Sequence, residues 1–203
     1  GAFGGLVDGF TNIDTEKLFI VFDTREVNEP RLERIAVYML AEFIRRRAAE
    51  CKLRRIRFAA IIDEAATLMR FKAGARLLDD LSRRARHYGM MLVSITQQLK
   101  DFFKQAEQAD SVVKNSHMKL ILRQDASDLR TLKEALRLSD AEVSAIENFS
   151  KDEEKRRDSQ LLLIVGSVHG TIRLVPSPMD YWICTSEPIR DIPRREEMIK
   201  EVK

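Results

Sequence analysis

Two adjacent carboxylates, Asp63 and Glu64, directly follow an unbroken apolar run at residues 58–62. Such a run predicts a strand buried on both faces, as in a parallel sheet. Ligands of open parallel sheets bind beyond the carboxyl ends of the strands, so one carboxylate could hold Mg²⁺ while the other orients an attacking water. The structural alternative is that Asp63 caps the next helix and Glu64 favours its first turn. The motif alone leaves both interpretations open.

A second polar pair, Thr96 and Gln97, follows the next predicted strand at residues 91–95. The amide of Gln97 could contact a γ-phosphate or the water that attacks it. An arginine-dense helix end, residues 82–88, lies between the two strands in the chain. Taken separately, these features are typical of a capping threonine, an exposed glutamine and a solvated basic face. Their order on successive elements favours a shared site.

The elements that must position these residues alternate between strand and helix. Apolar runs predict strands at residues 18–22, 58–62, 91–95 and 118–122. Helical spacing of apolar residues predicts helices at residues 30–47, 74–88, 126–136 and 140–148, with Gly89 ending the second. This alternation is typical of a mostly parallel sheet with helices on both faces.

The tail of the chain changes character after residue 150. Segments 161–166 and 171–175 predict an antiparallel hairpin around a glycine, and the highly charged stretch 151–158 predicts a solvated loop. Tyr181 and Trp182 are interpreted as aromatic residues of an amphipathic strand packed on the core. Stacking of these rings on a nucleic-acid base is the alternative.

Composition argues against several classes of protein. The net charge of +3 is the small difference between 35 basic and 32 acidic residues, which does not indicate a nucleic-acid-binding domain. The two cysteines lack CxxC spacing and the three histidines are scattered, so no metal cluster of His and Cys is expected. No apolar run approaches the roughly 18–20 residues of a membrane span, and the chain is expected to be cytosolic. One basic segment, residues 45–57, could contact DNA or acidic lipid, or could be a solvated helix end.

Three short motifs together resemble one family. Residues 62–65 (Ile-Asp-Glu-Ala), 86–89 (Arg-His-Tyr-Gly) and 94–97 (Ser-Ile-Thr-Gln) are similar to the Walker B, arginine and glutamine motifs of type IV secretion ATPases. This is the VirB-four, TraC and TrbE class, which is related to the HerA and FtsK pumps. One departure is His87, a position at which family members often carry lysine.

The tail carries the same resemblance, which spans about residues 4–200. Similarity to the C-terminal segment of that class lies at residues 138–142, 161–166 and 177–185. It implies a RecA-like α/β fold with an antiparallel C-terminal extension.

The phosphate-binding loop of that family is missing from the sequence. Such a P-loop needs glycines followed by Lys-Ser or Lys-Thr, and none of the eight glycines here precedes that pair. The family places the loop upstream of the region matching residues 4–14. We therefore expect residues 1–203 to be the C-terminal part of one ATPase domain, without the P-loop strand and with negligible ATP hydrolysis by itself. Residues 1–150 would form the α/β core, and residues 151–203 a β extension and a helix.

The resemblance also implies roles in Mg²⁺-dependent ATP hydrolysis. Asp63 would hold Mg²⁺ through water beside the nucleotide, and Glu64 would polarise the attacking water. Gln97 would contact the γ-phosphate and sense it. The implied function of the whole protein is to energise a type IV secretion or conjugation channel. The alternatives are a DNA pump of the HerA, FtsK or coupling-protein kind, and an interaction module that binds no nucleotide.

The remaining implication concerns assembly. Arg86 would reach the nucleotide of a neighbouring subunit, with Arg83 and Arg84 as substitutes because all three lie within one helical turn. Members of the family form cytoplasmic homo-oligomers, commonly hexamers, at the inner face of the membrane beside the channel components. DNA is a possible partner that the charge balance does not indicate.

Overall fold

The computed structural model describes residues 14, 16–24, 27, 29–97, 99–103, 105–149, 159–184 and 191–201. Contacts divide the chain into two units, Gly1–Asn115 and Ser116–Lys203. The division into core and extension at residue 150 stays a prediction. The charged stretch 151–158, predicted to be a loop, lies outside the described residues.

A parallel strand pair is the centre of the first unit. Strand β1 (Phe58–Ile62) pairs in parallel with β2 (Met90–Ser94). Because parallel strands need a crossover connection, the chain runs from β1 to β2 through two helices. These are α2 (Ala65–Met69) and α3 (Lys72–Tyr88), and Gly89 ends α3 in the left-handed conformation as predicted. Both predicted strands and the predicted helix are confirmed.

Helix α1 (Pro30–Leu53) precedes β1 and packs with α3 on one face of the strand pair. The carboxylate of Glu29 caps α1 by accepting a hydrogen bond of 2.7 Å from the Leu32 N–H. The helix runs to Leu53 rather than ending at residue 47, because Ala48 and Cys51 continue its buried stripe. The core between helices and strands contains Ala48, Ala60, Leu77, Leu81 and Met90.

The opposite face of the strand pair is uncovered in the described part of the chain. Ile61 is 63% exposed and Met91 is 58% exposed. The helices predicted for this second face are not found among the described residues. Strand β1 therefore alternates between packed and exposed side chains, as a strand with one covered face does.

A second apolar cluster joins α2 and α3 to two short helices, α4 (Leu99–Phe102) and α5 (Ala106–Asn115). Neither short helix is predicted by the spacing of apolar residues in the sequence. Gly74 allows α3 to approach α2 closely, since a Cβ at this position would lie 2.3 Å from the carbonyl oxygen of Leu68.

The strand predicted at residues 18–22 is wrong. This segment is irregular, and the side chain of Phe19 is 82% exposed. A strand is stabilised by hydrogen bonds to a neighbouring strand, and no described strand pairs with this segment. Apolar composition alone was not sufficient to make it a strand.

An antiparallel sheet is the centre of the second unit. Strand β3 (Met118–Ile121) pairs with β4 (Ser159–Val165), which pairs in turn with β5 (Val168–Leu174). The predicted hairpin is confirmed, with Gly166 in its turn at φ 60°. The strand predicted at 118–122 is present, but its described partner is the antiparallel β4 rather than the parallel pair. The partner of a strand depends on residues distant in the sequence, so the short apolar run does not predict it.

The helices of the second unit follow the predicted pattern in part. Helices α6 (Ala126–Leu136) and α7 (Asp140–Asn148) confirm their predicted ranges. Helices α8 (Pro178–Cys184) and α9 (Asp191–Glu201) follow the hairpin. None of the helices within the described ranges combines the length and apolar character needed to cross a membrane.

Tyr181 and Trp182, which were predicted on a strand, lie on α8. The hydroxyl of Ser177 accepts a hydrogen bond of 3.2 Å from the Asp180 N–H and so caps the helix at its start. The Tyr181 hydroxyl contacts the carboxylate of Asp191 and thereby connects α8 to α9. The local capping signal outweighed the strand preference of the aromatic pair.

Glu142 links α7 to β5. Its carboxylate accepts hydrogen bonds from the N–H (2.7 Å) and the hydroxyl (2.6 Å) of Ser139. The bond from the N–H, together with the bond of 3.3 Å that the Ser139 hydroxyl accepts from the Glu142 N–H, forms the capping box of α7. The other carboxylate oxygen contacts Nδ1 of His169 on β5. Hydrogen bonds from Ser139, and then from His169, lower the pKa of Glu142 to about 2.

We expect Glu142→Gln to destabilise the second unit at neutral pH by roughly 1 kcal/mol, since a neutral amide accepts weaker hydrogen bonds than a carboxylate. The pKa of Glu142 is lower in the folded state than in the unfolded chain. Its stabilising contribution is therefore complete above the unfolded pKa of about 4.3 and is lost as pH falls towards the folded value. Thermal unfolding followed by circular dichroism should show the difference from wild type shrinking over that range.

Glu147→Gln, an exposed change on the same helix, is the matched control for this experiment. A difference between Glu142→Gln and wild type that stays constant down to acid pH would contradict the assignment.

Candidate functional site

The carboxyl ends of β1 and β2 lie side by side because the two strands pair in parallel and end in register. Two main-chain hydrogen bonds hold the chain where it leaves the sheet. The Ile95 N–H donates to the oxygen of Ile62 (2.9 Å), and the Ala65 N–H donates to the oxygen of Ile95 (2.7 Å). The two segments that carry the polar pairs, residues 63–64 and 96–97, therefore leave the sheet at one edge.

Glu64 has a left-handed backbone conformation, with φ 50° and ψ 54°. This conformation is unfavourable by roughly 1–2 kcal/mol for a residue with a Cβ. Glu64 occupies the N-cap position of α2, but its side chain forms no capping hydrogen bond. Asp63 Oδ1 accepts a hydrogen bond of 3.0 Å from the Glu64 N–H, outside the helix. The contacts of these two carboxylates therefore do not support the helix-capping interpretation.

Thr96 holds the carboxylate of Glu64. Its hydroxyl donates to Glu64 Oε1 at 3.3 Å, and both residues are half-buried. This hydrogen bond connects the ends of the two strands and restricts the direction of the carboxylate. This role of Thr96 is not predicted from its sequence position, where the available signal is a hydroxyl residue directly after the neighbouring strand. Gln97 lies beside Thr96 at this edge and is exposed.

Arg86 lies at the other end of the strand pair. It belongs to the last turn of α3, which leads through Gly89 into the start of β2. At about 3.3 Å per residue, a strand of this length separates the two edges by roughly 16 Å. The structure therefore does not bring Arg86 together with Asp63, Glu64 and Gln97 within one chain.

The three arginines at the end of α3 differ in their partners. Arg83 Nε lies 2.6 Å from Asp79 Oδ1, and Arg84 Nε lies 2.8 Å from Asp80 Oδ1. Arg86 is exposed and forms no ion pair with another described residue. Because the guanidinium of Arg86 forms no ion pair with the residues that the structure describes, it is the one of the three best suited to an external anion.

The carboxylate edge suits a metal that is shared with a phosphate ligand. Among the described residues, no group of three or more His, Cys, Asp or Glu side chains could hold a metal ion. Mg²⁺ usually takes one or two carboxylates and completes its coordination with phosphate oxygens and waters. The exposed carboxylate of Asp63, next to the half-buried Glu64, fits that mode of binding.

Comparisons with known proteins identify a matching family and similar solved structures. A family model described as the TraG P-loop domain matches residues 1–198. The structure of VirB4 of Thermoanaerobacter pseudethanolicus is similar, with a TM-score of 0.68 and 24% sequence identity. The match covers 83% of this chain and 44% of the VirB4 chain, so the present chain corresponds to less than half of that protein. A comparison with curated protein sequences finds no matching relative.

We expect Glu64→Gly to be more stable than Glu64→Ala by about 1 kcal/mol, since glycine carries no left-handed penalty. Both variants lose the carboxylate and its hydrogen bond to Thr96, so their difference isolates the backbone conformation. Denaturant unfolding measures that difference.

Arg137, which also has a positive φ of 56°, provides a matched control pair, Arg137→Gly and Arg137→Ala. If the control pair differs and the Glu64 pair does not, the backbone of Glu64 is not strained.

Proposed function

The chain belongs to the TraG P-loop domain family, and on that premise we propose that the full-length protein is an ATP-hydrolysing motor. The motor would energise a type IV secretion or conjugation system. The similarity of the fold to that of VirB4 supports this assignment. The activity, the substrate and the partners all belong to the proposal, because the chain covers 44% of the VirB4 chain.

The observation that carries the proposal is the strained Glu64 held by Thr96 at the carboxyl ends of parallel strands. A residue in this conformation lowers the stability of the fold, and no capping role compensates for it. Strain of this kind is concentrated at functional sites. It favours a hydrolysing enzyme over the alternative of an interaction module that binds no nucleotide.

Each residue at this edge has a proposed role in hydrolysis. Asp63 would hold Mg²⁺ through water beside the ATP phosphates. When bound, the metal supplies charge stabilisation for the phosphoryl group. Glu64 would polarise the attacking water and accept its proton, with Thr96 directing the carboxylate. Gln97 would contact the γ-phosphate.

The position of Arg86 supports action in a neighbouring subunit. It lies about 16 Å from its own carboxylate edge along a strand, a distance that its side chain does not span. A guanidinium suits the charge that spreads over the transferring phosphoryl group. We therefore include in the proposal a homo-oligomer, a hexamer as the family resemblance implies. It would work in the cytoplasm at the inner face of the membrane, beside the channel components.

In the full-length protein, we expect Glu64→Gln to slow ATP hydrolysis by about 10²–10⁴-fold while ATP binding is retained, because a positioned base is lost. Asp63→Ala should instead weaken the dependence of the rate on Mg²⁺.

Steady-state hydrolysis and nucleotide-binding titrations separate the two effects. Glu107→Gln, an exposed change on α5, is the control and should leave both unchanged. If Glu64→Gln hydrolysed ATP at the wild-type rate, Glu64 would not be the base.

Mixing two inactive proteins tests Arg86. An Arg86→Ala subunit still carries an intact Glu64, and a Glu64→Gln subunit still carries an intact Arg86. Mixed oligomers should therefore recover part of the hydrolysis, since such arginines contribute about 10³–10⁵-fold in rate. Arg84→Ala, which removes the neighbouring arginine paired with Asp80, should retain most of its activity. If co-assembled mixtures stay inactive at every ratio, Arg86 does not act in trans.

A further inference from the structure

Helix α4 connects the segment that carries Gln97 to the rest of the first unit. The helix has only four residues, Leu99–Phe102, and it begins two residues after Gln97. A helix this short is not stable by itself, so its contacts with other elements decide where it lies. Those contacts therefore also decide where Gln97 lies.

Two neighbouring side chains attach α4 to α2. Phe102 is 5% exposed and belongs to the same apolar cluster as Ala66 and Met69 of α2. Asp101 Oδ2 accepts a hydrogen bond of 3.1 Å from Nη2 of Arg70, which is the C-cap residue of α2. An apolar contact has no preferred direction, whereas a hydrogen bond between guanidinium and carboxylate has one. The ion pair therefore restricts the rotation that the apolar contact permits.

Helix α2 is also the element that follows Glu64. It begins at Ala65, directly after that carboxylate, and its C-cap is Arg70. The other end of the glutamine segment is attached to the same helix, because the oxygen of Ile95 accepts a hydrogen bond of 2.7 Å from the Ala65 N–H. Gln97 therefore lies between two attachments to α2, two residues after the first and two residues before α4.

We infer that Arg70 and Asp101 are positioning residues for hydrolysis, whose ion pair sets the place of Gln97 relative to Glu64. The pair joins two segments that are 31 residues apart in the sequence, one following each strand of the parallel pair. In this role it acts through the helices that carry it and not on the nucleotide. The inference rests on the proposed function and deepens it, since it adds how the amide beside the γ-phosphate is held.

The exposure of this ion pair separates it from contacts that mainly stabilise the fold. The side chain of Arg70 is 44% exposed and that of Asp101 is 23% exposed. Ion pairs this accessible to water contribute little to stability. Loss of the pair should therefore shift α4 without unfolding the unit, whereas a small displacement of a group at the reacting centre lowers the rate strongly.

Steady-state kinetics of variants of the full-length protein test this role. We expect Arg70→Ala and Asp101→Ala each to lower kcat about tenfold, because a shift of roughly 1 Å at a reacting group costs this much or more. The KM for ATP should stay within about twofold of wild type, since the groups that bind the nucleotide are unchanged. Arg70→Lys keeps a cation opposite Asp101 and should retain most of the wild-type kcat.

Asp80→Ala is the matched control for Asp101→Ala. The side chain of Asp80 is 27% exposed and pairs with Arg84 at 2.8 Å, but both residues belong to α3, so this pair joins no two elements. Its kcat and KM should equal those of wild type. Circular dichroism of every variant establishes that each one is folded before its kinetics are compared.

A second background separates positioning from a general effect on the fold. Gln97→Ala removes the amide that the pair positions, so adding Arg70→Ala should then lower kcat by less than about twofold. A merely structural contribution would lower kcat by the same factor with and without the amide, and that result would overturn the inference. Wild-type kcat in both Arg70→Ala and Asp101→Ala would overturn it as well.

Amide hydrogen exchange tests the attachment of α4 in the absence of ATP. The Phe103 N–H donates to the oxygen of Leu99 at 2.9 Å, so its exchange rate reports the opening of α4. Arg70→Ala should accelerate this exchange about tenfold and leave the amides of β1 unchanged. Unchanged exchange at Phe103 would overturn the inference. Absence of ATP hydrolysis by the wild-type protein would instead contradict the proposed function, and the exchange rate would then decide the attachment by itself.

Discussion

In-register parallel pairing of β1 with β2 is the constraint on which the first unit depends. Between two parallel strands, the chain must run back from the carboxyl end of the first strand to the amino end of the second. Helix α3 covers that distance. The same pairing places the residues after both strands at one edge and the end of α3 at the other. Carboxylates and arginines are separated for this reason, although they are close in sequence. Within one chain, Arg86 therefore lies at the opposite end of the strand pair from Asp63 and Glu64.

The conformation of Glu64 is maintained by the main chain on either side of it. The oxygen of Ile62 accepts a hydrogen bond from Ile95, and the N–H of Ala65 donates to the same residue. These bonds fix both neighbours of the carboxylate pair to the adjacent strand, so the chain between them must turn tightly. Thr96 then fixes the side chain of Glu64. The unfavourable backbone is thus a consequence of sheet pairing, and the favourable pairing offsets it.

Local patterns in the sequence predicted the positions of helices and strands better than they predicted which strands pair. The strands at 58–62 and 91–95 and the helices at 126–136 and 140–148 follow from apolar spacing, which is a short-range property. The segment 18–22 has the same apolar character but no partner strand among the described residues, and 118–122 pairs antiparallel. The shared edge of Asp63 and Gln97 could be predicted from strand order. The hydrogen bond from Thr96 and the strain at Glu64 could not, because both arise from tertiary geometry.

The close approach at Gly74 makes the first unit sensitive to change at a position where two helices meet. A methyl group there would collide with the main-chain oxygen of Leu68, and a main-chain atom cannot rotate away as a side chain can. Leu68 belongs to α2, the helix that begins directly after Glu64. Substitution at position 74 would therefore shift α2 and, through it, the carboxylate. Random mutagenesis would therefore find few tolerated substitutions at this glycine, and that intolerance would reflect the spacing of two helices.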